Sequence, residues 1–147
     1  TYYLSVVSSP ENLSAFEELQ NNYSDTDYAD QASLMMAKHS VEQEKYKIAL
    51  GYLTPLYDSG NDFVKHISRI RSANIYLQLG GYDDAISALD ITNEGEFEGV
   101  YSHTRGDIYL AKGDNNLAKQ SYKKAIERTS SESDILNLIK IKLDDLN

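Results

Sequence analysis

Apolar residues along this chain recur at every third or fourth position, the spacing of helices that bury one face, and nowhere alternate one-in-two for long enough to make a strand. Near the start, Leu13, Phe16 and Leu19 follow Ser9 and Pro10, which read as an N-cap and a first-turn proline opening a helix that ends near Tyr23. Near the end, Ile135, Leu138, Ile139, Leu143 and Leu146 follow Ser131-Glu132-Ser133-Asp134, a capping box with Asp in the place of Glu or Gln. The expected fold class is all-α.

The strongest signal is internal repetition at a period of about 33 residues, the length of a helical-hairpin repeat. The segments from Ser72 to Ile86 and from Arg105 to Lys119 align without a gap. A small residue (Ala73, Gly106), a Tyr three later (Tyr76, Tyr109), a Gly (Gly80, Gly113) and an Ala (Ala85, Ala118) recur at one offset. Each type has a physical reason. The small residue lets two antiparallel helices approach, the Gly takes a positive φ to end the first helix, and the Tyr fills the gap to the next pair. A weaker copy, Ala37, Ser40, Glu44, Tyr46, Ala49 and Leu53, lacks the turn Gly and the first-helix Tyr. It sits 36 residues before its successor, which places three extra residues around Asp58 to Asp62.

This pattern resembles the tetratricopeptide repeat and implies a tetratricopeptide-like solenoid of helical hairpins with a C-terminal capping helix. The expected organisation is one domain: 1–27 a truncated N-terminal hairpin, 28–60, 64–95 and 97–129 three repeats, and 131–146 the capping helix. Thr1 to Val7 would be the tail of a truncated helix, and the chain reads as a piece of something longer. Pro55 cannot donate to the carbonyl of Gly51, so the second helix of the first repeat should kink or stop there.

Charge and composition then remove functions. The formal charge of −9, with 23 Asp+Glu against 14 Lys+Arg, repels a phosphate backbone, so nucleic acid is not an expected partner. The absence of Cys removes thiolate nucleophiles, disulfides and Cys-ligated zinc. No apolar run approaches the roughly 20 residues of a membrane span.

Catalysis needs convergent groups, and neither a Gly-rich phosphate loop, paired His at helical spacing nor a nucleophile elbow occurs. No catalytic residue, metal ligand or cofactor site is expected. His39, His66 and His103 are about one repeat apart, which distributes them along an array. Asp83 and Asp84 read as helix-starting carboxylates facing the macrodipole, and Glu94, Glu96 and Glu98 lack calcium-loop spacing. Arg105-Gly106-Asp107 matches an adhesion tripeptide in letters only, since Gly106 falls at the helix-packing position.

Partner contact is expected on the first helix of each pair, which lines the concave face of such a superhelix. The candidates are Gln31, Leu34 and Lys38; Ile67, Ile70, Asn74 and Leu77; and Val100, His103, Asp107 and Leu110. Of the twelve tyrosines, Tyr76, Tyr82, Tyr109 and Tyr122 occupy periodic positions and read as packing residues.

The segments Leu89 to Phe97, Arg105-Gly106-Asp107, Ala111-Lys112-Gly113-Asp114 and Ile139 to Leu146 further resemble the YfgM family of ancillary SecYEG translocon subunits. The likeness is strongest from Ser72 to Asn147 and weaker back to Tyr28. It implies a non-enzymatic domain in the periplasm, held at the bacterial inner membrane by one N-terminal span that lies outside this chain. The partners it implies are the SecYEG translocon and a PpiD-like periplasmic chaperone, with the domain assisting emerging proteins. The competing reading is a soluble tetratricopeptide adaptor that captures a peptide in its groove. Homodimerisation stays open, because a truncated first helix could leave an apolar face for a second copy.

Overall fold

Residues 27–147 are described in the computed structural model. The expected truncated N-terminal hairpin, including the helix opened by Ser9 and Pro10, lies outside the described residues. These hold seven α-helices and no strand: α1 (Asp27–Glu42), α2 (Tyr46–Leu53), α3 (Asp62–Gln78), α4 (Tyr82–Ala88), α5 (Glu98–Lys112), α6 (Asn115–Arg128) and α7 (Ile135–Asp144). The all-α expectation holds. Among the described residues no helix is long and apolar enough to cross a membrane. The chain divides into two compact units between Ser72 and Ala73, within α3.

In the first unit α1 packs on α2. Ala29, Ala32 and Met36 form a buried cluster against which Tyr52 rests. Helix α2 stops at Leu53 and gives way to a 3-10 turn, Thr54–Leu56, with Pro55 inside it. This is the early stop expected from the missing N–H of Pro55. Thr54 Oγ1 donates to the Leu50 carbonyl at 2.8 Å, a bond from the first residue beyond the helix. The extra residues before α3 form a compact turn: Ser59 Oγ donates to Asp30 Oδ2 at 2.8 Å, and Asn61 Oδ1 accepts from Val64 N at 3.1 Å to cap α3.

In the second unit α5 packs on α6, α6 on α7, and α4 on α5. Ala118, Tyr122, Ala125 and Ile139 form its cluster, with Tyr109, Leu143 and Leu146 packed against it. The capping box ahead of α7 does not form. Asp134 is already helical (φ −61°, ψ −29°) and its side chain caps nothing, because the preceding serines close their own turn. In that turn Ser130 Oγ accepts from Glu132 N at 3.3 Å and Ser133 N donates to the Ser130 carbonyl.

The three hairpin turns share one hydrogen-bond pattern. Gly80 N donates to Leu77 O and Gly81 N to Tyr76 O; Gly113 N donates to Leu110 O and Asp114 N to Tyr109 O. In the weak first copy, Glu44 N donates to Val41 O and Lys45 N to Ser40 O. Each is a Schellman closure, which needs a left-handed residue at its centre. Gly80 (φ 79°) and Gly113 (φ 90°) meet that need without strain, and Glu44 (φ 60°) meets it at a cost. The small position (Ala37, Ala73, Gly106) and the second-helix Ala (Ala49, Ala85, Ala118) are buried in all three copies. The weak copy therefore shares the turn geometry and the buried small positions of the other two, with Glu44 where they carry glycine.

No atom lies within 4 Å of a Cβ added at Gly113, so a substitution there costs only the backbone conformation. Gly113→Ala should lower unfolding stability by about 1 kcal/mol. Glu44→Gly should raise it by roughly 0.5–1 kcal/mol, the relief of left-handed strain less the added freedom of the unfolded chain. Denaturant midpoints of the two variants check this, and a destabilised Glu44→Gly would contradict the left-handed turn.

Candidate functional site

The three hairpins differ in what their first helices carry at equivalent positions. Leu34, Ile70 and His103 occupy one such position and all three are buried. Lys38 and Asn74 are exposed at the next, where α5 carries the half-buried Asp107. Gln31 and Ile67 are half-buried and Val100 exposed at a third; Leu77 is half-buried and Leu110 exposed at a fourth. Of the residues expected to meet a partner, Lys38, Asn74, Val100 and Leu110 thus offer the most surface, and Leu34, Ile70 and His103 the least.

Among the described residues, only the last hairpin carries a polar pair on this face, His103 and Asp107, that forms a network. Tyr122, on α6 and fully buried, donates its hydroxyl to Asp107 Oδ1 at 2.6 Å. Lys142, on α7, donates to both Asp107 oxygens at 3.0 and 3.1 Å, and its Nζ lies 2.9 Å from His103 Nε2. His103 Nε2 is 3.6 Å from Asp107 Oδ2, too far for a hydrogen bond. The geometry requires a neutral imidazole that accepts from Lys142 at Nε2 and carries its proton on Nδ1. Burial pushes the His103 pKa below its ordinary value; the Asp107 carboxylate opposes this and the Lys142 ammonium adds to it. Burial, and then the hydrogen bond to Asp107, push the Tyr122 hydroxyl far above the usual phenol range. Asp107 and Lys142 balance one another's charge.

The remaining candidates resolve into structural roles. Glu94 pairs with Arg105, whose guanidinium also lies 5.8 Å from the Tyr101 ring centroid, and Glu98 pairs with Arg128 at 3.2 Å. Arg105, Gly106 and Asp107 are helical in α5, with Gly106 buried. Asp83 and Asp84 occupy the first turn of α4, and Asp83 pairs with Lys112 at 3.2 Å across the stacked turns. An open depression of about 320 Å³ lies there, lined by Gly80, Gly81, Tyr82, Asp83, Asp84 and Lys112. Among the described residues no three His, Asp or Glu side chains come close enough to hold a metal ion. Tyr76, Tyr82 and Tyr109 are half-buried. The fully buried Tyr101 and the reach of Lys142 were not legible from repeat spacing.

The chain matches the tetratricopeptide repeat-like domain over residues 5–147. It is 31% identical over 130 residues to an ancillary SecYEG translocon subunit of Neisseria gonorrhoeae, covering 88% of this chain and 62% of that protein. It is 33% identical over 132 residues to one of Aggregatibacter actinomycetemcomitans, covering 89% and 64%. A third, from Haemophilus influenzae, is 30% identical over 131 residues, covering 88% and 63%. The chain spans a little less than two thirds of the length of these curated relatives.

His103 makes the last hairpin sensitive to acid. Its folded pKa lies below that of the unfolded chain, so this contribution is fully present above the ordinary His pKa. It is lost as pH falls below it, because the unfolded state takes up the proton first. Melting at about pH 7.5 and about pH 5.5 should show a smaller acid-induced loss for His103→Gln than for the parent chain. Equal losses would contradict the neutral, buried imidazole.

Proposed function

The chain belongs to the tetratricopeptide repeat-like domain family, and from that membership we propose that it is a non-catalytic protein-binding domain acting at the SecYEG translocon. In this reading it is the periplasmic part of a single-pass inner-membrane ancillary subunit. It links the translocon to a PpiD-like periplasmic chaperone and assists proteins as they emerge. The observation that carries the proposal is the extent of the match: relatives named as ancillary SecYEG translocon subunits align with 88–89% of the chain, through every hairpin described. The acidic composition and the ion-paired carboxylates of the last hairpins fit a scaffold better than a reaction centre. The contact residues we propose lie on the first helices, taken within each unit by itself: Lys38 with Gln31 and Ile67 in the first, and Asn74, Val100 and Leu110 with Leu77 in the second.

The full-length protein, tagged and extracted from membranes in mild detergent, should copurify with both translocon subunits and the periplasmic chaperone. Recovery of neither would overturn the proposal. Recovery of the chaperone alone would remove its translocon half.

A further inference from the structure

Helix α7 packs on α6 as the last helix of the second unit, and the outer face of a terminal helix of this kind is ordinarily polar. Here the inner face is apolar as expected, with Ile139 buried and Leu143 and Leu146 packed on the α6 cluster. The outer face is apolar too: Ile135, Leu138 and Ile141 are 43%, 46% and 57% exposed. Their spacing of three makes a ridge of the kind that lies in the groove of a second helix.

Carboxylates bracket this ridge. Asp134 lies one turn before Leu138, and Asp145 one turn beyond Ile141, with Asp144 beside it. Asp134, Asp144 and Asp145 are exposed and none is in an ion pair among the described residues. Asp144 and Asp145 stand at the C-terminal end of α7, where the helix dipole already presents negative charge. Lys142 is turned inward to Asp107, and Lys140 lies on the opposite flank from Leu138. The ridge is therefore apolar along its length and anionic at both ends.

We propose that the outer face of α7 is a docking surface for a basic amphipathic helix, one with an apolar stripe and Lys or Arg at its ends. Charge selects this occupant. A second copy would oppose acidic ends to acidic ends on a chain already at −9, and an anionic lipid surface or a nucleic acid would meet the same repulsion. The inference rests on reading the chain as a protein-binding domain, and adds a second contact face, distinct from the first-helix face, with the chemistry of what it binds.

The test uses the full chain and two synthetic helical peptides, one of Leu and Lys at helical spacing and one with Glu in place of every Lys. Binding is read by fluorescence anisotropy. The Leu/Lys peptide should bind and the Leu/Glu peptide should not. The double variant Leu138→Ser/Ile141→Ser and the separate charge variant Asp134→Asn/Asp145→Asn should each weaken binding roughly tenfold. Ile48→Ser on α2, exposed and outside both proposed contact faces, should change it by less than about twofold. All substituted side chains are exposed, and unchanged circular dichroism confirms each fold. Undiminished binding by both α7 variants, or no binding of the Leu/Lys peptide, would overturn the inference. A loss seen with Val100→Ser/Leu110→Ser on α5 and with neither α7 variant would move the contact to the first-helix face, leaving the proposed function standing and this inference refuted. Self-association of the parent chain that Leu138→Ser/Ile141→Ser abolishes would identify a second copy as the occupant and refute it equally.

Discussion

The last hairpin depends on one close approach. A Cβ added at Gly106 would fall 2.4 Å from the Tyr122 ring, nearer than side chains tolerate, so the ring lies where only a hydrogen can face it. At the equivalent positions the other hairpins carry Ala73 with Leu89 and Ala37 with Leu53, all buried. Exchange of Ala and Leu for Gly and Tyr keeps the summed volume similar while changing its shape. It also adds a hydroxyl that the leucines lack. That hydroxyl reaches Asp107, which in turn holds Lys142 of α7.

A chain of consequence follows from that substitution. Tyr122 packs with Ala118, Ala125 and Ile139, so its ring is both the α5–α6 contact and part of the seat of α7. A second close approach, where a Cβ on Gly99 would meet Thr129 Oγ1 at 2.7 Å and the Arg128 carbonyl at 2.8 Å, holds the other end of the same helix pair. With the inner face of α7 committed in this way, its outer stripe is left to solvent. Removal of one member of this buried polar network leaves the others unsatisfied at a cost of about 1–3 kcal/mol.

Much of this was legible in the residues and some was not. The turn glycines, the small packing positions and the stop at Pro55 are local: each follows from what one residue type permits of the backbone, and each sits where spacing placed it. The first repeat was legible only faintly, because Glu44 occupies a left-handed position that its side chain disfavours and that no simple pattern would assign to it. The capping box misled, because the serines of that segment satisfy one another before the helix begins. On the first-helix face, spacing identified the helices but not the depth of their side chains. His103 looked like a groove residue but is buried, as Leu34 and Ile70 are at the equivalent positions, and its contact with Lys142, 39 residues away, is one that periodicity cannot pair with it. The exchange of Ala73 for Gly106 lies within the aligned repeats and that of Leu89 for Tyr122 three residues beyond them, and together they are a sequence signal that could have marked the last hairpin as different.

The double-mutant cycle of Gly106→Ala and Tyr122→Leu tests most directly whether that close approach governs the last hairpin. Gly106→Ala alone should cost about 1–3 kcal/mol by overpacking. In the Tyr122→Leu background, where the Ala73 and Leu89 pairing is recreated, the same change should cost far less, giving a coupling energy above about 1 kcal/mol. Additive losses across the cycle would show that the two residues do not constrain one another and would contradict the account.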